Sequence, residues 1–366
     1  MDASYQIYIE KKSVNYSDLY RIFVQHKEKI EYVSCYVDKD FHQKIWQGKV
    51  VQTFPNNRIR IQLNTNTYVY TERSFKGRQT NIGEIVWVQT TNVSSLEAAY
   101  KDPKGTLNVA LPCGPVILHP FETGVHISQR LKQYPEFANS LKKHFEPFAG
   151  RCGIKFRLSA KDYSLALLEE VVSFLKITWD ERRYNRPEFL ILNSLLSYFL
   201  FPTEVFTNDS SLADGLSANL YAIFQTKPKV RELPQELHSL EEAWESSCRN
   251  VIPLAKGGSV MIQETPACIA IDVNAGSETS YDRVNREVIE MLPQILYQGR
   301  FGGKVVVDLL PVSSKDESER LLQQFKANWY SFDVVPQLFG ISRMGLLEFI
   351  LPRRGHPLWW IDKNSL

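Results

Sequence analysis

A chain of 366 residues is too long for one small core and predicts two or more domains. Its 43% hydrophobic and 23% charged residues are ordinary for a globular protein, and a net charge of +2 neither demands nor excludes a nucleic-acid partner. The five cysteines (Cys35, Cys113, Cys152, Cys248, Cys268) are scattered without a CxxC pair, which argues against a zinc ribbon or disulfide framework and for reduced thiols.

In chain order, Ile22–Val24 and Tyr32–Val37 flank the charged turn His26–Lys29 in a hairpin pattern. Between Ile45 and Gln89, short alternating runs (Ile59–Leu63, Tyr68–Tyr70, Ile85–Val88) separated by turn residues such as Pro55-Asn56-Asn57 predict a small barrel. Two more strands are expected around Pro112–Pro115. Helices are expected at Leu131–Phe145, at Ser164–Ile177 (Leu165, Leu168, Val172 and Leu175 share a face), at Leu190–Phe201, Leu212–Phe224 and Leu240–Asn250, with a strand at Val205–Thr207. No apolar run reaches the roughly 20 residues of a membrane span. The polar start Met1–Tyr5 lacks a signal-peptide core, so a cytoplasmic protein is expected.

The C-terminal part alternates strands and helices. Cys268-Ile-Ala-Ile-Asp272-Val-Asn274 and Lys304-Val-Val-Val-Asp308 are apolar, β-branched runs, the pattern of strands covered on both faces, and the amphipathic segment Tyr281–Tyr297 lies between them. A strand, a helix and a strand in that order predict a crossover with the strands parallel. Asp272 and Asp308 then fall at the carboxyl ends of neighbouring strands, where open α/β sheets place ligands. Carboxylates meeting there need a cation, and an all-oxygen donor set suits Mg2+. Asn274, two residues after Asp272, points the same way on an extended strand. Further strands are expected at Val334–Leu338 and Leu346–Ile350. Residues 353–366 read as a C-terminal tail whose Trp359 and Trp360 predict that it docks.

Four motifs occur in order: Gly257-Gly-Ser-Val-Met-Ile262, Cys268-Ile-Ala-Ile-Asp-Val-Asn-Ala-Gly276, Phe301-Gly-Gly-Lys-Val-Val-Val-Asp308 and Ile341-Ser-Arg-Met-Gly-Leu-Leu-Glu-Phe349. Together they resemble the catalytic core of the ribonuclease E/G family. Pro103-Lys-Gly105, Val116–Pro120 with Gly124–Leu131, and Gly153-Ile-Lys-Phe-Arg157 resemble that family's 5′-end-sensing region. The barrel near 45–89 resembles its S1 domain. The resemblance implies an α+β multidomain fold. RNase H-like (1–40 and 178–254) and DNase I-like (255–352) α/β subdomains would accompany an inserted S1-like (OB) β-barrel (41–100) and a 5′-sensor region (101–177).

The same resemblance implies that Asp272 and Asp308 hold magnesium and that Asn274 positions the scissile phosphate or a water. Arg157 would grip a 5′-monophosphate, Lys104 would line the RNA path, and Arg343 would lie near the active site. Leu158 stands where the family has a threonine after the sensor arginine; leucine cannot hydrogen-bond a phosphate, so weakened or lost 5′-end sensing is expected. Ile61 stands where the first barrel strand of the family has a phenylalanine, with Tyr68 or Tyr70 standing in for the second aromatic. The family's CPxC zinc-link has no counterpart here, so a monomer or a zinc-independent dimer is expected. Arg58, Arg60, Tyr68, Tyr70, Arg73, Lys76 and Arg78 combine cations with aromatic faces, as single-stranded RNA surfaces do. The reading is a magnesium-dependent endoribonuclease that cleaves single-stranded RNA to 5′-phosphate and 3′-hydroxyl ends, with no membrane partner. An RNA-binding protein with little cleavage is the alternative on the same scaffold. A phosphatase or DNase using the same aspartates is a third.

Overall fold

The structure is a computed structural model and describes residues 5–14, 17–37, 43–75, 78–91, 103–196, 202–234, 238–255, 257–329, 332, 334–353 and 355–365. The chain forms two compact units, the first from the described parts of 1–31, 35–91 and 102–236, the second from those of 32–34 and 237–366.

The chain opens with β1 (Tyr5–Val14), β2 (Ser17–His26) and β3 (Lys29–Val37). The hairpin read from the sequence is present, with its turn at Lys27-Glu28. A barrel-like sheet follows: β4 (Ile45–Phe54), β5 (Arg58–Gln62), β6 (Tyr68–Glu72), the short hairpin β7 (Ser74–Phe75) and β8 (Arg78–Gln79), β9 (Ile85–Thr90) and β10 (Gly105–Thr106). Its order is β10-β9-β4-β5-β6, and a parallel bridge between Lys104 and Tyr70 brings its two edges nearly to closure. Alternation sends Val50, Ile59, Ile61, Val69 and Val88 into a dry interior where each is 0% exposed.

Next come β11 (Leu111–Cys113), β12 (Val116–His119), β13 (Val125–Ile127), α1 (Pro135–Phe145) and β14 (Gly153–Phe156), the strands ordered β11-β12-β14-β13. The helix expected from Leu131 starts instead at Pro135, after a 3-10 turn at Leu131–Gln133. Proline lacks an N–H and is at home in the first helical turn. Helix α2 (Leu165–Asp180) is capped by the Ser164 hydroxyl, which accepts from Leu167 N at 3.2 Å.

Helix α3 (Pro187–Leu196) also begins at a proline, earlier than expected, and residues 197–201 of the predicted helix lie outside the described residues. The unit ends with β15 (Pro202–Thr207), α4 (Ser210–Phe224) and β16 (Lys229–Glu232). Strands β15 and β16 return to the first sheet, whose order is β16-β15-β1-β2-β3. There β1 runs antiparallel to β2 and parallel to β15.

The second unit consists of α5 (His238–Cys248), β17 (Val251–Pro253), β18 (Ser259–Glu264), β19 (Ile269–Asn274), α6 (Tyr281–Gln298), β20 (Gly303–Asp308), α7 (Lys315–Asn328), β21 (Gln337–Ile341), β22 (Leu346–Leu351) and α8 (Leu358–Ser365). Its six strands are ordered β17-β18-β19-β20-β22-β21. Among the described residues, β19 and β20 are its parallel pair, as the crossover through α6 requires. Helix α6 buries Val284, Val288, Ile289, Leu292 and Leu296 in one core with Val305, Val307, Phe325 and Phe349.

Three expectations are corrected here. Strands β19 and β20 alternate buried and accessible residues, so they are covered on one face and open on the other. The apolar β-branched residues on the open side, such as Val306, carry no periodicity that could reveal this. The segment read as a tail is helix α8, with Leu358 and Ile361 buried and Trp359 packed on the core. The strand expected at Val334–Leu338 lies at Gln337–Ile341, a bulge between Leu338 and Gly340 shifting its register.

Candidate active site and nucleic-acid interface

Asp272 and Asp308 are direct partners in the parallel register of β19 and β20. Neighbouring strands lie about 4.8 Å apart, so two carboxylates rise side by side from the open face. Both residues are exposed. Neither side chain has a hydrogen bond or ion pair among the described residues. Magnesium takes one or two protein carboxylates and fills its other positions with water, which fits this donor set. No group of three or more His, Cys, Asp or Glu among the described residues could cage a metal by itself. Glu348, which the sequence reading passed over, also faces outward: it is opposite Val306 and hence diagonal to Asp308. Only the register of β20 with β22 reveals it.

The glycine pair before β18 has a backbone role beside this edge. Gly258 sits at φ +92°, and a Cβ there would lie 2.2 Å from the carbonyl oxygen of Asn274. Gly276, at φ +60°, packs against Gly258 in return. The two turns therefore interlock backbone to backbone, which only glycine permits. Asn274 is exposed on the same face as Asp272, and its Oδ1 accepts from Gly276 N at 2.8 Å. Its oxygen thus closes the turn, leaving the Nδ2 group as the end available to a ligand. Arg343 stands exposed at the tip of the turn joining β21 to β22, closed by Ser342 N donating to Leu346 O at 2.8 Å. Leu346 pairs with Asp308, so this turn opens at the edge where Asp308 ends its strand.

In the first unit, Arg58, Arg60, Tyr68 and Tyr70 share the outer face of β5 and β6, where Arg60 pairs with Tyr70 and Gln62 with Tyr68. The Arg60 guanidinium lies 3.9 Å from the Tyr68 ring centre and 5.6 Å from that of Tyr70. Lys104, exposed, joins them through its bridge to Tyr70. The structure thus gathers these five residues on one surface. Ile61 faces the barrel interior. Phe54 lies 5.7 Å from the Tyr70 ring. Arg73 is a clasp instead of a free cation: its Nε donates to Thr80 O at 2.9 Å and its Nη2 to Asn81 Oδ1 at 3.1 Å. Lys76 and the side chain of Arg78 lie outside the described residues.

Arg157 follows β14, half-buried, its backbone N donating to Pro115 O at 2.9 Å and its Nη1 to Gly114 O at 3.4 Å. Burial pushes the neighbouring Cys113 thiol up to about 12, opposed by the Arg157 charge. Leu158, half-buried, opens a 3-10 turn through Asp162 and presents no polar group beside Arg157.

The profile of the Ribonuclease E/G family matches residues 110–354. Among curated proteins, the chain is 23% identical over 291 residues to a "Ribonuclease E/G-like protein" of Pyropia yezoensis, covering 71% of this chain and 56% of that one. It is 22% identical over 291 residues to "Ribonuclease G" of Haemophilus influenzae, covering 69% and 58%. It is 24% identical over 291 residues to "Ribonuclease E" of a Nostoc species, covering 71% and 42%. The chain therefore spans about half the length of the curated relatives it matches. With a matched profile that runs from the start of β11 past the end of β22 and takes in the whole paired-carboxylate sheet, the chain belongs to the ribonuclease E/G family.

Proposed function

We infer that the chain is a magnesium-dependent endoribonuclease acting on single-stranded RNA and leaving 5′-phosphate and 3′-hydroxyl ends. The observation that carries this reading is the register of Asp272 with Asp308 on an open sheet face. Family membership and the basic, aromatic barrel face support it.

Asp272 and Asp308 would hold the ion. When bound, magnesium supplies charge neutralisation at the phosphoryl oxygens and a water of lowered pKa. The chain's own residues do the rest. The two carboxylates fix where the cation can sit. Asn274 Nδ2 offers a donor to a phosphate or water beside them. Arg343 brings a guanidinium to the edge where Asp308 ends its strand. Arg60, Tyr68 and Tyr70 offer stacking faces and Arg58 and Lys104 phosphate contacts along the barrel.

The sheet order β3-β2-β1-β15-β16 supports the RNase H-like assignment of the first subdomain, and the near-closed barrel supports the S1-like one. All five cysteines are free, which suits a reducing cytoplasm. No helix among the described residues is long and apolar enough to cross a membrane.

The test is incubation of the purified chain with a 5′-labelled A/U-rich oligonucleotide, with magnesium and with EDTA. Magnesium-dependent fragments are expected. A gel shift without fragments would establish the second reading, an RNA-binding protein. That reading draws on Asn274, whose oxygen is spent on a turn. Running 5′-hydroxyl and 5′-monophosphate substrates in parallel tests end sensing, and Leu158 beside Arg157 leads us to expect equal rates.

A further inference from the structure

We propose that Met261, with Val251 behind it, is the apolar rest for the nucleobase next to the scissile phosphate, and so sets the base preference of cleavage. This rests on the endoribonuclease reading above and extends it to a specificity-determining residue.

The argument starts from one row of side chains across the open face of the sheet. The registers pair Val251 with Met261, Met261 with Asp272, Asp272 with Asp308, and Asp308 with Leu346. The five residues therefore stand in line across five strands. Val251 is 46% exposed and Met261 41% exposed. A single exposed apolar residue needs no explanation, but two adjacent ones abutting a carboxylate pair form a continuous patch. With strands about 4.8 Å apart, Met261 lies one strand from Asp272 and Val251 about twice as far. A nucleotide whose phosphate sits at the carboxylates would lay its base over that distance.

The composition of the row selects the occupant. A protein partner covering it would bury two like charges without an ion pair, which is costly. A nucleotide brings the opposite combination: an anionic group that a shared cation can join to the carboxylates, and a flat aromatic base beside it. Methionine suits the second task because its flexible, polarisable thioether conforms to aromatic faces of different shape. On the far side of the pair, Leu346 is less exposed and leads to the turn that carries Arg343, so the base is directed toward Met261.

The test uses Met261→Gln, which keeps the length of the side chain and replaces the thioether with an amide; Met261→Thr serves if glutamine lowers the melting temperature. Cleavage sites are mapped on an RNA library randomised around a single cut region. The wild-type chain is expected to show an uneven base distribution at one position beside the cut. The variant should flatten it and raise KM five- to tenfold, with a much smaller change in kcat. A second arm needs no cleavage. In an Asp272→Asn background, affinity is measured for a labelled 12-nucleotide RNA with an abasic site stepped along it. One abasic position should cost about fivefold with Met261 present and nothing with Met261→Gln. Unchanged base distribution and KM, or identical abasic profiles, would overturn the proposal. Absence of fragments with an intact abasic signature would instead count against the endoribonuclease reading alone.

Discussion

Asn285 and Leu310 are joined by two hydrogen bonds: Asn285 Nδ2 donates to Leu310 O at 2.9 Å, and Leu310 N donates to Asn285 Oδ1 at 3.1 Å. Asn285 is 0% exposed on the first turns of α6, and Leu310 lies just beyond Asp308. The pair ties the chain leaving one carboxylate strand to the helix that follows the other. Replacing Asn285 with leucine strands two backbone groups in the interior, so a loss of about 2–4 kcal/mol is expected. Urea unfolding of the variant measures it, and turnover should fall more than RNA affinity.

Asp272→Asn removes one charge of the pair while keeping its shape. Turnover is expected to fall by about 100-fold or more, with RNA affinity nearly unchanged. Single-turnover cleavage and fluorescence anisotropy on the same oligonucleotide check the two halves separately. A fully active variant would remove the case for metal catalysis.

On the barrel, an aromatic face and a committed arginine are distinguished. Tyr70→Ala, which takes away a face that Arg60 covers, should weaken single-stranded RNA binding by about 1–3 kcal/mol. Arg73→Ala should leave binding almost intact and lower the melting temperature, because its guanidinium is committed to Thr80 and Asn81. Titration and thermal denaturation of both variants give the contrast.

Gly258→Ala places a methyl group 2.2 Å from the Asn274 carbonyl at a backbone angle disfavoured for alanine. The interlocked turns must separate, and a destabilisation of about 2–4 kcal/mol with loss of cleavage is expected. Gly83→Ala makes the control: its φ is +91° but a Cβ would meet nothing within 4 Å, so it carries the angle cost without the clash. Equal stability losses at the two glycines would contradict the packing account.

Asp209 caps α4, accepting from Leu212 N at 3.1 Å and Ser211 Oγ at 2.8 Å, with Lys11 Nζ at 3.0 Å. Burial opposes its ionisation, yet these partners bring its pKa down to about 2 from 3.8. A lowered folded-state pKa stabilises the fold fully above the unfolded value, and that contribution is lost as pH falls through the folded one. Asp209→Ala should cost about 1–2 kcal/mol near neutral pH. The gap between variant and wild type should narrow as the pH is taken from about 4 down to about 2, followed by denaturant titration at each pH.

The parallel pairing of β19 with β20, the helix between them and the hairpin at Lys27 were legible because each depends on local signals: apolar runs, a helical stripe and a charged turn. The barrel was legible from short strands between turn residues. The same signals failed where the decisive contact is distant. Arg73 looks like any surface cation until Thr80 and Asn81 close on it. Helix α8 was read as a tail because its short sequence shows little periodicity without the core beneath Trp359.

Four carboxamides show the same limit. Asn185 binds the N–H and C=O of Ile45, Asn208 those of Lys11, Gln89 those of Ala110, and Asn285 those of Leu310. Each holds both backbone polar groups of a residue distant along the chain, and no spacing in the sequence announces it.

By itself, the order of residues determined that two aspartates end neighbouring strands, since strand identity and crossover direction follow from short-range periodicity and chirality. Only the tertiary structure decided that those strands are open on one face, that Met261, Asp272, Asp308 and Leu346 fall in one row, and that Asn274 spends its oxygen on a turn. Those outcomes depend on register and on which sheet face the helices cover, and both are settled by packing between segments that are remote in sequence.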